Sequence, residues 1–416
     1  MITTSLIVSC LIFLLIAVRQ WLPSAVCIWH TMVAGAVVLL LLGEISPDKA
    51  WQAVDWNVVA YLFGVFAIGS ALYDAGVSHL IGARIAAMTS QRAALATVIV
   101  ATTLCSAVLT NDASAVISTP IILMLARTLR LPARPLLIAL CATVTVGSML
   151  SPVGNPQNIL IATRGHFGNP VATFLLWLTV PAFLSLLVVY FWSRFLLSRH
   201  KDGTAEALHD LPKPSANGSA WPAYLGLALL VVLIGTDSVL QGLGSDATIP
   251  FGAASLIACA PVFLLSANRG QVLKALDWPT LAFFVAMFTV TGSLLESGSL
   301  QVMLGSRQAD LGELPVIALV SFWASQIFSN VPVVEIYLNL IKDWEVPELM
   351  MLAGISTLAG NLFIISAASN VIVVQQAERF GETPFTFWQF TLSVLPITVL
   401  SFAITYAWIA WFATLV

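Results

Sequence analysis

Apolar runs of membrane-spanning length recur along almost the whole chain, and they leave few folds open to it. Well-formed runs lie at about 2–18, 25–43, 56–73, 171–193, 221–241, 248–267, 279–295 and 386–414. Two more, about 135–163 and 347–377, are long but interrupted in the middle. The stretches 93–126 and 314–341 are each too long for one helix and carry a polar break at mid-length. A spanning helix takes ~20 predominantly apolar residues, so the pattern predicts ten crossings and two re-entrant hairpins. Of the 416 residues 59% are hydrophobic and 9% charged, against about 25% charged in a soluble domain. Such a chain cannot cover a water-facing surface. The expected fold is an all-α polytopic membrane protein whose surroundings are lipid, with no basic stripe to engage nucleic acid.

Charge placement sharpens the map. With the N-terminus outside and ten crossings, Arg19, Arg84, Arg92, Arg127, Arg130, Arg134, Arg194, Arg199, Lys201, Lys213, Arg269, Lys274 and Arg379 lie inside. Lys49, Arg164, Arg307 and Lys342 lie outside. Thirteen against four is a positive-inside bias, and it survives only if neither hairpin crosses. An inner-membrane protein with both termini outside is expected. Residues 2–18 lack a basic leading segment and Arg19 follows them, so they read as a retained span rather than a signal peptide. The polar segment 196–220, with His200 and His209, reads as a cytoplasmic linker between residues 1–195 and 221–416. Cys10, Cys27, Cys105, Cys141 and Cys259 sit in apolar runs without metal or redox spacing.

The two halves resemble each other. DWNVVAYLFGVFAIGSALYDAG from Asp55 aligns without a gap to DWPTLAFFVAMFTVTGSLLESG from Asp277, sharing the Asp-Trp start and pairing Gly76 with Gly298. LTNDASAV from Leu109 stands opposite FSNVPVVE from Phe328, and PVGNPQNILI from Pro152 opposite IISAASNVIV from Ile364. Five crossings plus one hairpin per half is an odd count of crossings, so the second copy enters the membrane upside down. Inverted repeats with broken helices mark secondary transporters, which bind cargo and coupling ions near the midplane.

Unsatisfied backbone in hydrocarbon costs several kcal/mol per group, so breaks at mid-depth survive only inside protein or at a wet cavity. The hairpin tips supply Thr110, Asn111 and Asp112, and Ser329 and Asn330. The interrupted spans supply Gly154, Asn155 and Asn158, and Asn361, Ser366, Ser369 and Asn370. Helix N-termini exposed at such breaks favour anions, and freed carbonyls favour Na⁺. Asn111, Asn158, Asn330 and Asn370 are the candidate Na⁺ neighbours. Capping of half-helices by the same residues is the plainer alternative. Asp112 and Glu335 are carboxylates within the membrane on this map, suited to hold a cation or carry a proton. His30 is the one histidine inside a span and reads as structural.

At these four breaks the sequence resembles the ion transporter superfamily, which holds arsenite permeases, divalent-anion/sodium symporters, citrate transporters and NhaD-type sodium/proton antiporters. LTNDASAVISTPI looks like the Asn-Asp tip of the arsenite-permease branch; FSNVPVVEIYL and AASNVIV look like the Ser-Asn signatures of the symporters. The resemblance implies a homodimer with elevator motion, with Thr110, Asn111, Asp112 and Asn158 in one half-site and Ser329, Asn330, Ser369 and Asn370 in its inverted mate. The symporter triplet Ser-Asn-Thr is missing at both tips, which opens a proton-coupled route through Asp112.

The expected function is a secondary active permease for a small inorganic or organic anion, coupled to Na⁺ or H⁺ and needing no other cofactor. The rival is a Na⁺/H⁺ antiporter using Asp112 and Glu335. A membrane-embedded enzyme finds no support in HExxH or GxSxG motifs, and no Walker motif supplies an ATPase.

Overall fold

The computed structural model describes residues 3–17, 28–88, 90–199, 220–245, 247–299, 302, 305–341, 343–382 and 384–416. Arg19, Cys27, His200, Lys201, His209, Lys213, Lys342 and most of the expected linker lie outside the described residues.

Among the described residues the chain is helical throughout. The first half runs α1 (Thr4–Ala17), α2 (Ile28–Leu41), α3 (Pro47–Ala53), α4 (Trp56–Asp74), α5 (Val77–Ala86), α6 (Gln91–Leu109), α7 (Asn111–Thr128), α8 (Ala133–Ser148), α9 (Pro156–Arg164) and α10 (Pro170–Arg199). The second half runs α11 (Trp221–Gly242), α12 (Phe251–Leu265), α13 (Arg269–Ala275), α14 (Trp278–Glu296), a 3-10 segment Gly305–Gly312, α15 (Leu314–Phe328) and α16 (Asn330–Leu340). It closes with α17 (Val346–Ala359), a 3-10 turn Ile364–Ser366, α18 (Ala368–Arg379) and α19 (Phe387–Phe412). Six helices, α4, α6, α10, α11, α14 and α19, have the length and apolarity to cross a membrane, and shorter apolar helices accompany them. Their outward faces carry bare hydrocarbon, such as Leu104, Leu176 and Val232, each about 60% exposed, as lipid contact requires.

Both Asp-Trp pairs open long helices. Asp55 accepts the amides of Asn57 and Val58, and Asp277 accepts that of Thr280, satisfying donors that a first turn leaves open. Trp56 and Trp278 turn their indole N–H groups back to the carbonyls of Trp51 and Leu273, five residues upstream in each case. That bond seats each long helix on the short helix before it. Gly76 and Gly298 stop α4 and α14 with left-handed backbone (φ 74° and 65°), a conformation glycine adopts without strain.

The long helices interlock across the sequence halves. α4 packs on α12 and α2 on α14. Gly64 makes the first of these close: a Cβ there would stand 2.5 Å from the Ser255 carbonyl oxygen. The hairpins lean on the opposite half's broken helix, α7 on α18 and α16 on α9.

Both long polar-centred stretches are helical hairpins. Ser114 donates to the Thr102 carbonyl at 3.3 Å, whereas twelve residues of straight helix would separate them by ~18 Å. α16 likewise folds back on α15. The interrupted spans break at 149–155 and 360–367. One boundary and three short helices differ from the sequence expectation. α10 continues to Arg199, four residues into the expected 196–220 linker, because its apolar face goes on packing beside α19. The short helices α3, α5 and α13 stand where the sequence shows only loops between spans.

Candidate functional site

The hairpin tips turn on one residue each. Thr110 has φ 86° and ψ 156°, and Ser329 has φ 69° and ψ 157°. Side chains avoid this region, and holding one there costs ~1–3 kcal/mol, a cost found mostly at functional sites. The turn ends the first arm and opens a new helix N-terminus at Asn111 and at Asn330, deep in the protein. The Asn111 amide donates to the Gly154 carbonyl at 2.8 Å, which ties the first tip to the break between α8 and α9.

Those breaks are closed by asparagines. Asn158 donates through Nδ2 to the carbonyls of Ser148 (3.3 Å) and Ser151 (3.0 Å). Asn370 donates to those of Gly360 (2.8 Å) and Phe363 (3.4 Å). Helix ends that would leave carbonyls bare are thus satisfied in the same register twice. Asn155 starts α9 as its cap, accepting the Asn158 amide at 2.9 Å. Gly154 is required by space, since a Cβ there would collide with the backbone of Ser148.

The two breaks differ in what faces them. At the first, Thr357 of α17 reaches across. Its hydroxyl oxygen accepts from Asn155 Nδ2 (3.0 Å) and Gln157 Nε2 (3.5 Å) and donates to Asn158 Oδ1 (3.4 Å). Asn155 also donates to the Ser148 hydroxyl at 3.2 Å. At the second, Asn330 Oδ1, both polar atoms of the Asn361 amide, Ser369 Oγ and Asn370 Oδ1 are buried without a hydrogen-bond partner. The Asn330 and Asn370 side chains meet at Gly360, which directly precedes Asn361. A Cβ on it would stand 3.2 Å from the Asn330 amide nitrogen, and its carbonyl is held by Asn370. Each such buried atom costs ~1–3 kcal/mol if nothing pairs with it. Ser366 is engaged elsewhere, donating to Gln326 Oε1 at 2.6 Å, while Gln326 Nε2 donates to the Ala359 carbonyl at 3.0 Å.

The carboxylates have unlike settings. Asp112 is 5% exposed in the first turn of α7, and its Oδ1 has no partner. A negative charge there faces the positive end of the helix dipole. Glu335 lies in α16, with Oε1 2.8 Å from Arg164 Nη1 and 3.0 Å from Asn339 Nδ2. Arg164 Nε also lies 3.7 Å from Asp55 Oδ2. Arg164, placed in an outer loop by the sequence, is therefore the last residue of α9 and joins it to α16 and to the cap of α4.

The structure brings Thr110, Asn111, Asp112, Gly154, Asn155 and Asn158 together around the first tip and break, and Ser329, Asn330, Asn361, Ser369 and Asn370 around the second. Sequence reasoning missed Thr357, Gln326 and Ser148, and carried Gln157 only as part of the broken stretch 151–158. Gln157 and Ser148 flank the Pro152–Pro156 break and carried a signal; a lone threonine in an apolar helix carries none. No three His, Cys, Asp or Glu side chains cluster among the described residues, so the donors on hand are neutral amides and hydroxyls with single carboxylates beside them.

The family model described as "Citrate transporter" matches residues 11–345. The silicon efflux transporter LSI3 of Oryza sativa subsp. japonica is 26% identical, covering 89% of this chain and 90% of its own. The inner membrane protein YbiR of Escherichia coli (strain K12) is 27% identical over 84% and 86%. Among solved structures, the Alcanivorax borkumensis YdaH transporter aligns with a TM-score of 0.55 at 17% identity, covering 91% of this chain and 88% of its own. The Neisseria gonorrhoeae MtrF, titled as one of a class of antimetabolite efflux pumps, aligns at 0.55 and 12% identity over 98% and 95%. Likeness at these identities carries the fold.

Proposed function

Because the chain belongs to the citrate transporter family, we propose that this multi-pass membrane transporter is a secondary active permease for a small organic or inorganic anion, driven by Na⁺ or H⁺. The family and its relatives are transporters and not enzymes. One observation carries the reading: two breaks clamped in the same register by Asn158 and Asn370, each facing a hairpin tip that turns on a strained Thr110 or Ser329. Four half-helices start there, α7, α9, α16 and α18. Each N-terminus directs a positive dipole at an anion, and those of α16 and α18 have no side-chain cap over their first N–H groups. Buried oxygens beside the second tip suit a coupling cation.

On this reading residues 1–195 and 221–416 are inverted copies joined by a cytoplasmic linker, with both termini outside the inner membrane. The hairpins stop short of crossing. Two copies form a homodimer in which the hairpins and broken helices slide past α4, α12 and their mates. The family description names citrate and the rice relative's name names silicon, so cargo of modest size and more than one chemistry fits.

Uptake into proteoliposomes tests it. Citrate, arsenite and dissolved silicon are offered with and without imposed Na⁺ and pH gradients. Gradient-driven accumulation of one of them supports the permease. A second reading, Na⁺/H⁺ exchange, is favoured by the unpaired, buried Asp112 Oδ1. It requires that Na⁺ efflux from the lumen acidify it with no anion present, and Na⁺-independent anion uptake would exclude it.

A further inference from the structure

Away from both breaks, a groove lies where the start of α8, the last turns of α10 and the start of α19 meet. Arg134, Gln389 and Ser393 supply its polar side, and Ile138, Leu196 and Leu392 supply hydrocarbon. It holds about 160 Å³ of free space, against the roughly 10–15 Å³ that houses a single water. A molecular group fits there, not only an ion. The walls are tied together across the sequence. Trp192 Nε1 of α10 donates to the Ser393 carbonyl of α19 at 2.8 Å, and Arg134 Nε donates to the Pro384 carbonyl at 3.2 Å.

The polar groups here have their acceptors engaged and their donors open. The carbonyls of Pro384 and Ser393 are taken as just described, and Gln389 Oε1 accepts the Thr386 amide at 3.0 Å. What remains is the two terminal amino groups of Arg134, Gln389 Nε2 and the Ser393 hydroxyl, none of them bonded among the described residues. No aspartate or glutamate among the described residues lines the groove. A set of donors around a guanidinium fork suits a phosphate ester, which such a fork meets through two parallel hydrogen bonds.

The surroundings call for an amphiphile. Leu392 is 65% exposed and Trp388, beside Gln389, is 67% exposed, as side chains at a lipid boundary are. Arg194 and Arg199, over the rings of Tyr190 and Phe195 at 5.7 and 4.5 Å, add positive charge to the same end of α10. Basic pockets between membrane helices on the cytoplasmic side hold anionic headgroups. We propose that this groove binds an anionic phospholipid of the cytoplasmic leaflet. Its phosphodiester sits on Arg134, Gln389 and Ser393, and an acyl chain runs along Ile138, Leu196 and Leu392. The leaflet follows from the orientation proposed above; the site itself is independent of the solute carried.

Native mass spectrometry of the purified full-length protein tests it, with phosphatidylglycerol, phosphatidylcholine and glycerol 3-phosphate as probes. The parent should hold phosphatidylglycerol roughly tenfold more tightly than phosphatidylcholine. Arg134→Gln should weaken phosphatidylglycerol binding by roughly tenfold. Gln389→Glu should do the same: glutamate serves the capping box of α19 as well as glutamine does, but it sets a negative charge in the groove. Arg269→Gln, at an exposed arginine of α13 outside the groove, should bind as the parent does. Equal binding of the two lipids, or a groove variant that binds as the parent does, would overturn the inference. So would an equal loss in Arg269→Gln, or displacement of the lipid by an equal concentration of glycerol 3-phosphate. Gln389 is exposed, so its variant decides even where Arg134→Gln does not fold. Binding is read without flux, and its failure leaves the permease reading standing.

Discussion

Asn158 and Asn370, far apart in sequence, hold their broken helices by the same pair of hydrogen bonds, to carbonyls ten and seven residues behind them. Neither amide can be replaced by the helix itself, since the carbonyls they satisfy are the ones a break exposes. What the two do with their remaining oxygen differs: that of Asn158 is taken by Thr357, and that of Asn370 is unpaired.

Replacing either asparagine by alanine should therefore open the break it closes. Each change strands two carbonyls, at ~1–3 kcal/mol per buried group left unpaired. Both variants should lose uptake and melt earlier in detergent. Asn158→Ala should cost more stability than Asn370→Ala, because it also strips the Thr357 hydroxyl of its acceptor. Equal losses would mean that Thr357 contributes nothing at the first break.

The tips separate strain from capping. Ser329 makes no capping bond with its side chain, whereas Thr110 Oγ1 accepts the Ala113 amide at 3.4 Å. Ser329→Gly relieves the backbone, worth ~1–3 kcal/mol, and should raise Tm even if transport suffers. Thr110→Gly gives up a cap worth ~1 kcal/mol, so its gain should be the smaller. Thermal unfolding of the two variants in one detergent checks the order.

Gly154→Ala should be among the most damaging small changes available. The added methyl meets the Ser148 backbone, which cannot move without releasing the Asn158 clamp, and the Asn111–Gly154 bond links it to the hairpin tip. Gly168→Ala is the matched comparison, with open space around the new Cβ. Expression, Tm and uptake should fall for the first alone.

Removing one partner of the Arg164–Glu335 pair should be unequal in its effect. Arg164→Gln leaves the buried Glu335 carboxylate with only Asn339, whereas Glu335→Gln leaves an arginine side chain that is 30% exposed and still near Asp55. Breaking a fully buried pair costs ~3–5 kcal/mol; solvent at Arg164 lowers that figure, and lowers it more for Glu335→Gln. The double variant should recover part of the loss, which a double-mutant cycle on Tm reads directly.

Much of this was legible beforehand because breaks in apolar helices are conspicuous. Pro152, Gly154 and Pro156 cannot sit inside one continuous helix, and Asp55 and Asp277 announce helix starts with the residue a cap needs. What the sequence hides is pairing at long range. Nothing local distinguishes Thr357, which crosses 199 residues to Asn158, from Thr143, which bonds its own helix. Arg164 carries the same charge whether it lies in a loop or, as here, reaches Glu335 171 residues away. The short helices α3 and α13, seven residues each, are too brief for a period to register.

The proposed solute path runs through the paired breaks, and the most direct test is gradient-driven accumulation of citrate, arsenite and dissolved silicon in proteoliposomes of the parent, Asn158→Ala and Asn370→Ala. The expected result is accumulation of at least one solute by the parent under an inward Na⁺ or H⁺ gradient, abolished in both variants while each remains folded. Undiminished accumulation in both folded variants would place the path elsewhere and contradict it.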